Sequence, residues 1–254
     1  MMLHVEGLSR RFGGVYAVRD VSFRVQPGEL RGVIGPNGAG KSTLFHLIAG
    51  HLKPSAGRVS LGTEALDGYR PDQRARLGVA IVYQGDRIFR RMTVRENVMV
   101  GAHCRSRHGF LAAALRLPSC RREEKELRAR ADALLDQVGL SAVAEQRAES
   151  LPLGQQRTVQ LARALAADPK LLLLDEPAAG LHAAERTQFA RLIREVRGRG
   201  LTVLLVEHDV ALVTSLSDRI TVLDLGRVIA EGEPSAIRRD PAVLAAYLGG
   251  TPAS

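Results

Sequence analysis

The 254-residue chain has no tryptophan, two cysteines and only four lysines. No apolar run approaches the roughly 20 residues needed to cross a bilayer. The two cysteines, Cys104 and Cys120, form no metal-ligand spacing and are expected to be free thiols in a reducing cytosol. The N-terminus "MMLHVEGLSRRFGG" lacks the apolar centre of a secretory signal, so the chain is expected to stay in the cytoplasm and to meet a membrane only through a partner. Aromatic residues make up just 4% of the chain, which leaves little for stacking on nucleic-acid bases. The net charge is +9 from 36 basic and 27 acidic residues, almost all of the basic ones arginine, because lysine occurs only at 41, 53, 125 and 170. The arginines are scattered. A basic surface facing anionic lipid or an acidic nucleotide fits them at least as well as nucleic acid does.

What is present is ordinary for a globular protein: 45% hydrophobic and 25% charged residues, enough for a core without staples. β-rich segments open the chain ("LHVEGL", "VSFRV", "LRGVIG"), followed by "GRVSLG" and "GVAIVYQ". Helix formers dominate from about 93 to 165, and "CRREEKELRARADALLDQVGL" carries charge and leucine at helical spacing. Then "KLLLLDEP", "LTVLLVEHD" and the pair "SDRITVLDLGRVIAEG" read as strands separated by the helix "AAERTQFARLIREVRGRG". The alternation predicts an α/β fold with a mainly parallel sheet, and "LLLL" and "TVLLV" suit strands covered on both faces. The helical block 93–165 is expected to be a subdomain carrying an insertion at 101–122, interrupting a catalytic core of 1–92 and 166–230, with a helical tail at 231–254.

The segment "GPNGAGKST" fits G-x-x-x-x-G-K-[ST] between a predicted strand and a predicted helix. Gly35, Pro36, Asn37, Gly38, Ala39, Gly40, Lys41, Ser42 and Thr43 are therefore candidates to cradle phosphates. Glycines let backbone N–H groups converge on phosphate oxygens, and the helix N-terminus adds positive potential. Lys41 would reach the β- and γ-phosphates, and the Ser42 hydroxyl suits Mg²⁺. "LLLLDEP" ends an apolar strand in Asp175 and Glu176. The first is a candidate Mg²⁺ holder and the second a candidate base for water attack on the γ-phosphate.

In order, "RRFGG", "GPNGAGKST", "VYQ", "LPLGQQ", "LLLLDEP", "AAGLH" and "LLVEHD" resemble the motifs of the nucleotide-binding subunit of an ATP-binding-cassette transporter, over nearly the whole chain. The resemblance implies a P-loop NTPase core with an N-terminal antiparallel β portion and an α-helical signature subdomain. ATP and Mg²⁺ are the implied cofactors. Phe12 falls where the family keeps an aromatic that stacks on adenine. Gln84 falls at the loop that meets Mg²⁺ or the attacking water and touches the membrane subunit. His208 falls at the histidine that contacts the γ-phosphate.

Two positions depart from the family pattern. The loop "AAGLH" ends in His182 where aspartate is usual, which puts its role between sites in doubt. The signature, usually L-S-G-G-Q, reads "LPLGQ". Gly154 and Gln155 are in place, but Pro152 offers neither hydroxyl nor N–H, and Leu153 adds bulk.

"IFRRMTVRENVMVGAH", the following insertion and the ending "GRVIAEGEPSAIRRDPAVLAAYLG" resemble ATPase subunits of bacterial branched-chain amino acid importers. Relatives that handle urea or amides are the alternative, as is a cassette ATPase acting on nucleic acid or ribosomes. The resemblance implies a second ATPase subunit (identical or paralogous), two integral membrane permeases, a periplasmic solute-binding protein, no nucleic acid, and a peripheral location on the cytoplasmic face of the bacterial inner membrane.

Overall fold

The computed structural model describes residues 2–85, 87–102 and 118–248. Most of the expected insertion, with Cys104 and the apolar "FLAAAL", lies outside the described residues. The chain divides into two compact units, one drawn from Met1–Tyr83, Lys170–Pro177 and Ala190–Ser254, the other from Gln84–Pro169 and Ala178–Phe189. The second unit opens at Gln84 and takes in a short stretch after Pro177, beyond the helical block visible in the sequence.

The first unit holds two sheets. Strands β1 (Leu3–Phe12), β2 (Val15–Val25), β4 (Ala56–Leu61) and β5 (Glu64–Ala65) make an antiparallel sheet in the order β2-β1-β4-β5. The other sheet joins β3 (Leu30–Ile34), β6 (Val79–Val82), β7 (Leu171–Asp175), β8 (Thr202–Val206), β9 (Arg219–Asp224) and β10 (Arg227–Gly232) in the order β10-β9-β3-β8-β7-β6. All its pairings are parallel except the β9–β10 hairpin. Every residue of β3, β7 and β8 is buried, the expected condition of strands covered on both faces. Helix α1 (Lys41–Ala49) buries Leu44, Phe45, Leu47 and Ile48 in the same core as Leu171, Leu173, Leu204 and Val206.

Two arginines are buried in this core because each is fully partnered. Arg31, 1% exposed on β3, pairs with Glu29 at 2.6 Å and Glu231 at 3.0 Å and donates to Thr221 Oγ1 and the Arg24 carbonyl. Arg74, on α2 (Pro71–Arg76), donates to the carbonyls of Leu47, Ile48, Leu66 and Tyr69, so its guanidinium satisfies the open C-terminal end of α1.

The second unit packs α3 (Val94–Ala102), α4 (Pro118–Gln137) and α5 (Leu153–Ala166) against one another. Val94, Val98, Leu135, Val159 and Leu161 are completely buried. Asn97 is equally buried. Its side chain accepts the N–H of Phe89 and donates to the carbonyls of Phe89 and Thr93, closing the loop that leads into α3. The unit also holds the start of α6 (Ala183–Gly198). In the first unit, α7 (Val210–Leu216), α8 (Pro234–Ile237) and α9 (Pro241–Leu248) complete the chain.

Candidate functional site

Three adjacent parallel strands, β3, β8 and β7, release their carboxyl ends side by side, the position where open α/β sheets bind ligands. After β3 the chain turns through Gly35–Gly40 into α1. Gly40 sits at φ +99°, and a Cβ there would lie 2.2 Å from the Ala17 carbonyl oxygen, so only glycine fits. Helix α1 has no side-chain cap and no acid in its first turn, which leaves its N–H groups and positive end open. Lys41 is 7% exposed, and its Nζ donates to the carbonyls of Gly35 at 2.7 Å and Pro36 at 3.0 Å. Burial lowers its pKa, while Glu176 and Asp175 pull it back up. Ser42 is exposed, as are Asn37 and Gly38, while Ala39 is buried under the loop.

Asp175 closes β7. It is 6% exposed, and its Oδ1 is buried without a hydrogen-bond partner among the described residues. Its pKa is pushed up to about 6, by burial first and then by Glu176 and Glu207, with Lys41 opposing. Glu176 follows at φ +43°, a left-handed conformation uncommon for a non-glycine residue, and its N–H donates to the Val206 carbonyl at 2.8 Å. His208 Nδ1 lies 3.7 Å from Glu176 Oε2 and 3.5 Å from Glu207 Oε2. Asp209 caps α7 by accepting the Leu212 N–H, which fixes the turn on which His208 stands. Phe12, at the end of β1, is 46% exposed with the Arg10 guanidinium 4.7 Å above its ring.

The unsatisfied Asp175 oxygen fits a cation. Among the described residues no group of three or more His, Cys, Asp or Glu could hold a metal. A hard ion held by one carboxylate, one hydroxyl and phosphate oxygens needs no such group.

The second unit, taken by itself, carries Gln84, which is exposed, and the stretch from Pro152 to Gln155. Pro152 occupies the N-cap of α5 in extended geometry and provides no side-chain cap; Leu153 is 36% exposed. From the same helix, Arg157 donates to the Gly85 carbonyl and to the Ala179 carbonyl at 3.4 Å, and Gln160 Nε2 adds a second bond to Gly85 at 3.2 Å.

The first unit thus gathers Lys41, Asp175, Glu176 and His208. Four further residues, two in each unit, stand outside the candidates named from the sequence. Glu207 is 1% exposed and faces both Asp175 and His208. Arg157 and Glu185 organise the second unit around α5. The Gly35 backbone hydrogen-bonds to the hydroxyl of Tyr247 on α9, which otherwise has its pKa raised by burial. Two of them carry a sequence signal: Glu207 by its place between an apolar strand and His208, and Glu185 by its three-residue spacing to His182.

The family model for ABC transporters matches residues 18–179, and a model for branched-chain amino acid ATP-binding cassette transporters matches residues 227–253. The chain belongs to the ABC transporter family. The cassette is 43% identical over 249 residues to the high-affinity branched-chain amino acid transport ATP-binding protein LivG of Escherichia coli (strain K12), covering 98% of each chain. A crystal structure of an ATP-binding cassette of an ABC transporter in its ADP conformation superposes with a TM-score of 0.85 at 31% identity, covering 98% of both chains. A dimeric, post-hydrolysis cassette bound to ADP and Pi covers 91% of this chain and 98% of that one, at a TM-score of 0.76 and 25% identity. This ABC cassette is thus an ATP-binding, ATP-hydrolysing domain with a mainly parallel sheet and an antiparallel β portion. No helix among its described residues is long and apolar enough to cross a membrane.

Proposed function

We propose that the chain is the ATP-hydrolysing subunit of a bacterial importer for branched-chain amino acids or related small solutes. The solute class rests on the near full-length likeness to LivG together with the match of the C-terminal segment 227–253. The catalytic reading rests on one observation above the others: a buried, unpartnered carboxylate oxygen of Asp175, with Glu176 beside it, facing the charge of Lys41.

Phe12 stacks on the adenine, offering a π-face. The N–H groups from Gly35 to Thr43 and the amine of Lys41 hold the phosphates. Ser42, Asp175 and Gln84 would hold Mg²⁺, which would supply positive charge against the triphosphate. Glu176 orients water and takes its proton, while His208 senses the γ-phosphate. Lys41 balances charge that develops in the transition state.

A second ATPase subunit, identical or paralogous, completes each site. The N-terminus of α5 in one subunit covers ATP held by the other, which excludes water and tightens the electrostatic clamp. Hydrolysis removes the γ-phosphate contacts and reopens the pair. Gln84 and the helical unit pass this motion to two membrane permeases at the cytoplasmic face of the inner membrane, and a periplasmic binding protein delivers solute. The covered site of Pro152 is the partner's, so its missing hydroxyl handicaps that site and not this chain's own.

The test is ATP-dependent uptake by vesicles in which the chain is combined with branched-chain amino acid permeases and their solute-binding protein. Accumulation of leucine, isoleucine or valine is expected. Uptake of urea or amides alone would move the assignment to that branch, and co-purification with nucleic acid without any permease would end the importer reading.

A further inference from the structure

Helix α5 starts without a cap of its own. The Pro152 side chain at its N-cap accepts nothing, its carbonyl takes the Gln156 N–H, and the first turn contains no acid. The first N–H groups of a helix lack partners inside it and carry its positive end. One of them, Gly154 N–H, donates to Oε1 of Glu185, 3.2 Å away and 31 residues further along the chain. The other oxygen, Oε2, accepts the N–H of His182 at 3.0 Å. His182 opens α6, since its carbonyl takes the N–H of Arg186. Glu185 is therefore half of a capping box there. The other half calls for a short side-chain acceptor at 182, and histidine stands in its place. One carboxylate closes the first turns of two helices, and each of those helices departs from the family pattern at its cap.

Oε1 lies close over the helix start: a Cβ on Gly154 would fall 2.7 Å from it, so a larger residue there would push the carboxylate aside. The same carboxylate lines a cleft of about 260 Å³ with Pro152, Gln155 and Gln188.

We propose that Glu185 is a positioning residue that couples the signature turn to the loop ending in His182. Both amides hang on one charge, so neither moves without the other. This rests on the reading that α5 covers the partner's ATP. The γ-phosphate arriving at α5 is a second anion at the same helix end. It competes with Glu185 for the N–H groups there, and the carboxylate's displacement is felt at once by the His182 amide. The occupancy of the partner's site thereby reaches the loop after Glu176 in a chain that lacks the family's aspartate in that loop.

The experiment measures ATP turnover of the full-length chain at protein concentrations that span dimerisation. Four forms are compared: wild type, Glu185→Ala, Pro152→Ser and the double variant. Glu185→Ala is expected to lower kcat about tenfold, the worth of one charge-assisted hydrogen bond, and to bring the Hill coefficient for ATP toward 1. Binding of a fluorescent ATP analogue to the dilute monomer should be unchanged, which a misfolded variant would not show. Pro152→Ser restores a cap to α5 but no link to His182. The Glu185→Ala loss should therefore be equally large in the Pro152→Ser background. A loss that vanishes there would make Glu185 a plain helix cap and overturn the proposal. So would a Glu185→Ala chain with wild-type kcat and Hill coefficient. A wild type whose turnover is independent of protein concentration, alone and with a paralogous ATPase subunit added, would instead defeat the two-subunit site reading itself, and the coupling with it.

Discussion

Nδ1 of His208 stands 3.7 Å from Oε2 of Glu176. The pair joins the ends of two neighbouring strands, with Glu176 held by the Val206 carbonyl and His208 by the cap of α7. Its spacing exceeds a hydrogen bond. Replacing Glu176 with glutamine keeps the shape and removes the base. Turnover is expected to fall at least about 10²-fold, with ATP still bound and a closed dimer accumulating. Single-turnover hydrolysis and sedimentation in ATP measure both effects; undiminished hydrolysis would remove Glu176 from the mechanism.

Asp175 predicts a pH-dependent conflict between stability and function. Its pKa is raised from 3.8 to about 6 in the folded chain. The folded state therefore holds this proton more tightly than the unfolded chain does. The stabilisation is fully present below about pH 4, shrinks as pH rises through 6, and is absent above it. Ionised Asp175 thus costs the nucleotide-free fold up to about 3 kcal/mol at pH 8. Asp175→Asn should raise the melting temperature at pH 8 by roughly 5 °C or more, and the gain should disappear near pH 4. The same variant should lose Mg²⁺-dependent ATP turnover. Thermal melts across pH check the first part, and a variant less stable than wild type at pH 8 would contradict it.

Much of this chemistry is visible in the sequence because it depends on spacing along the chain. A phosphate loop needs contiguous backbone, so Gly35–Thr43 can be read directly, and Asp175 and Glu176 follow from an apolar strand that ends in acid. The strand order around β3 and the burial of Arg31 and Arg74 are another matter. These residues look like any other charges in an arginine-rich chain. Their burial draws on partners distant in sequence: Thr221 and Glu231 for Arg31, and Leu47 and Ile48 for Arg74. Glu185 is similar. Its spacing to His182 is local and legible, but its bond to Gly154 is not.

Pro152→Ser should act on the partner's ATP. In a complex whose own site is silenced by Glu176→Gln, the remaining turnover belongs to the partner's site. A serine hydroxyl there should raise it by about three- to tenfold, the worth of about one hydrogen bond. The assay is steady-state phosphate release by the reconstituted pair. An unchanged rate would show that proline is fully accepted at this position.

Arg157 fastens the start of the second unit to α5 through the Gly85 carbonyl, and reaches Ala179 as well. Arg157→Lys keeps the charge but not the planar fork. Amide hydrogen exchange at 84–92 and 178–182 should quicken in the lysine variant while α1 and β3 keep wild-type protection. Arg157→Met should go further and destabilise the chain by about 1–3 kcal/mol, the cost of leaving the Gly85 and Ala179 carbonyls without their donor; urea melts would register it.

The strand that feeds the phosphate loop has both of its sheet neighbours far ahead of it. Strand β3 lies between β8 and β9, and the Gly28 N–H already waits for a Thr202 hydroxyl 174 residues away. A ribosome adding roughly 5–20 residues per second needs on the order of 10–30 s to cover that distance. During this interval the nascent chain displays a complete GPNGAGKST text with no sheet to hold it. Nucleotide cannot help this domain begin to fold. It can only reward a chain that has nearly finished, and any fragment released before residue 202 will carry the motif without the site.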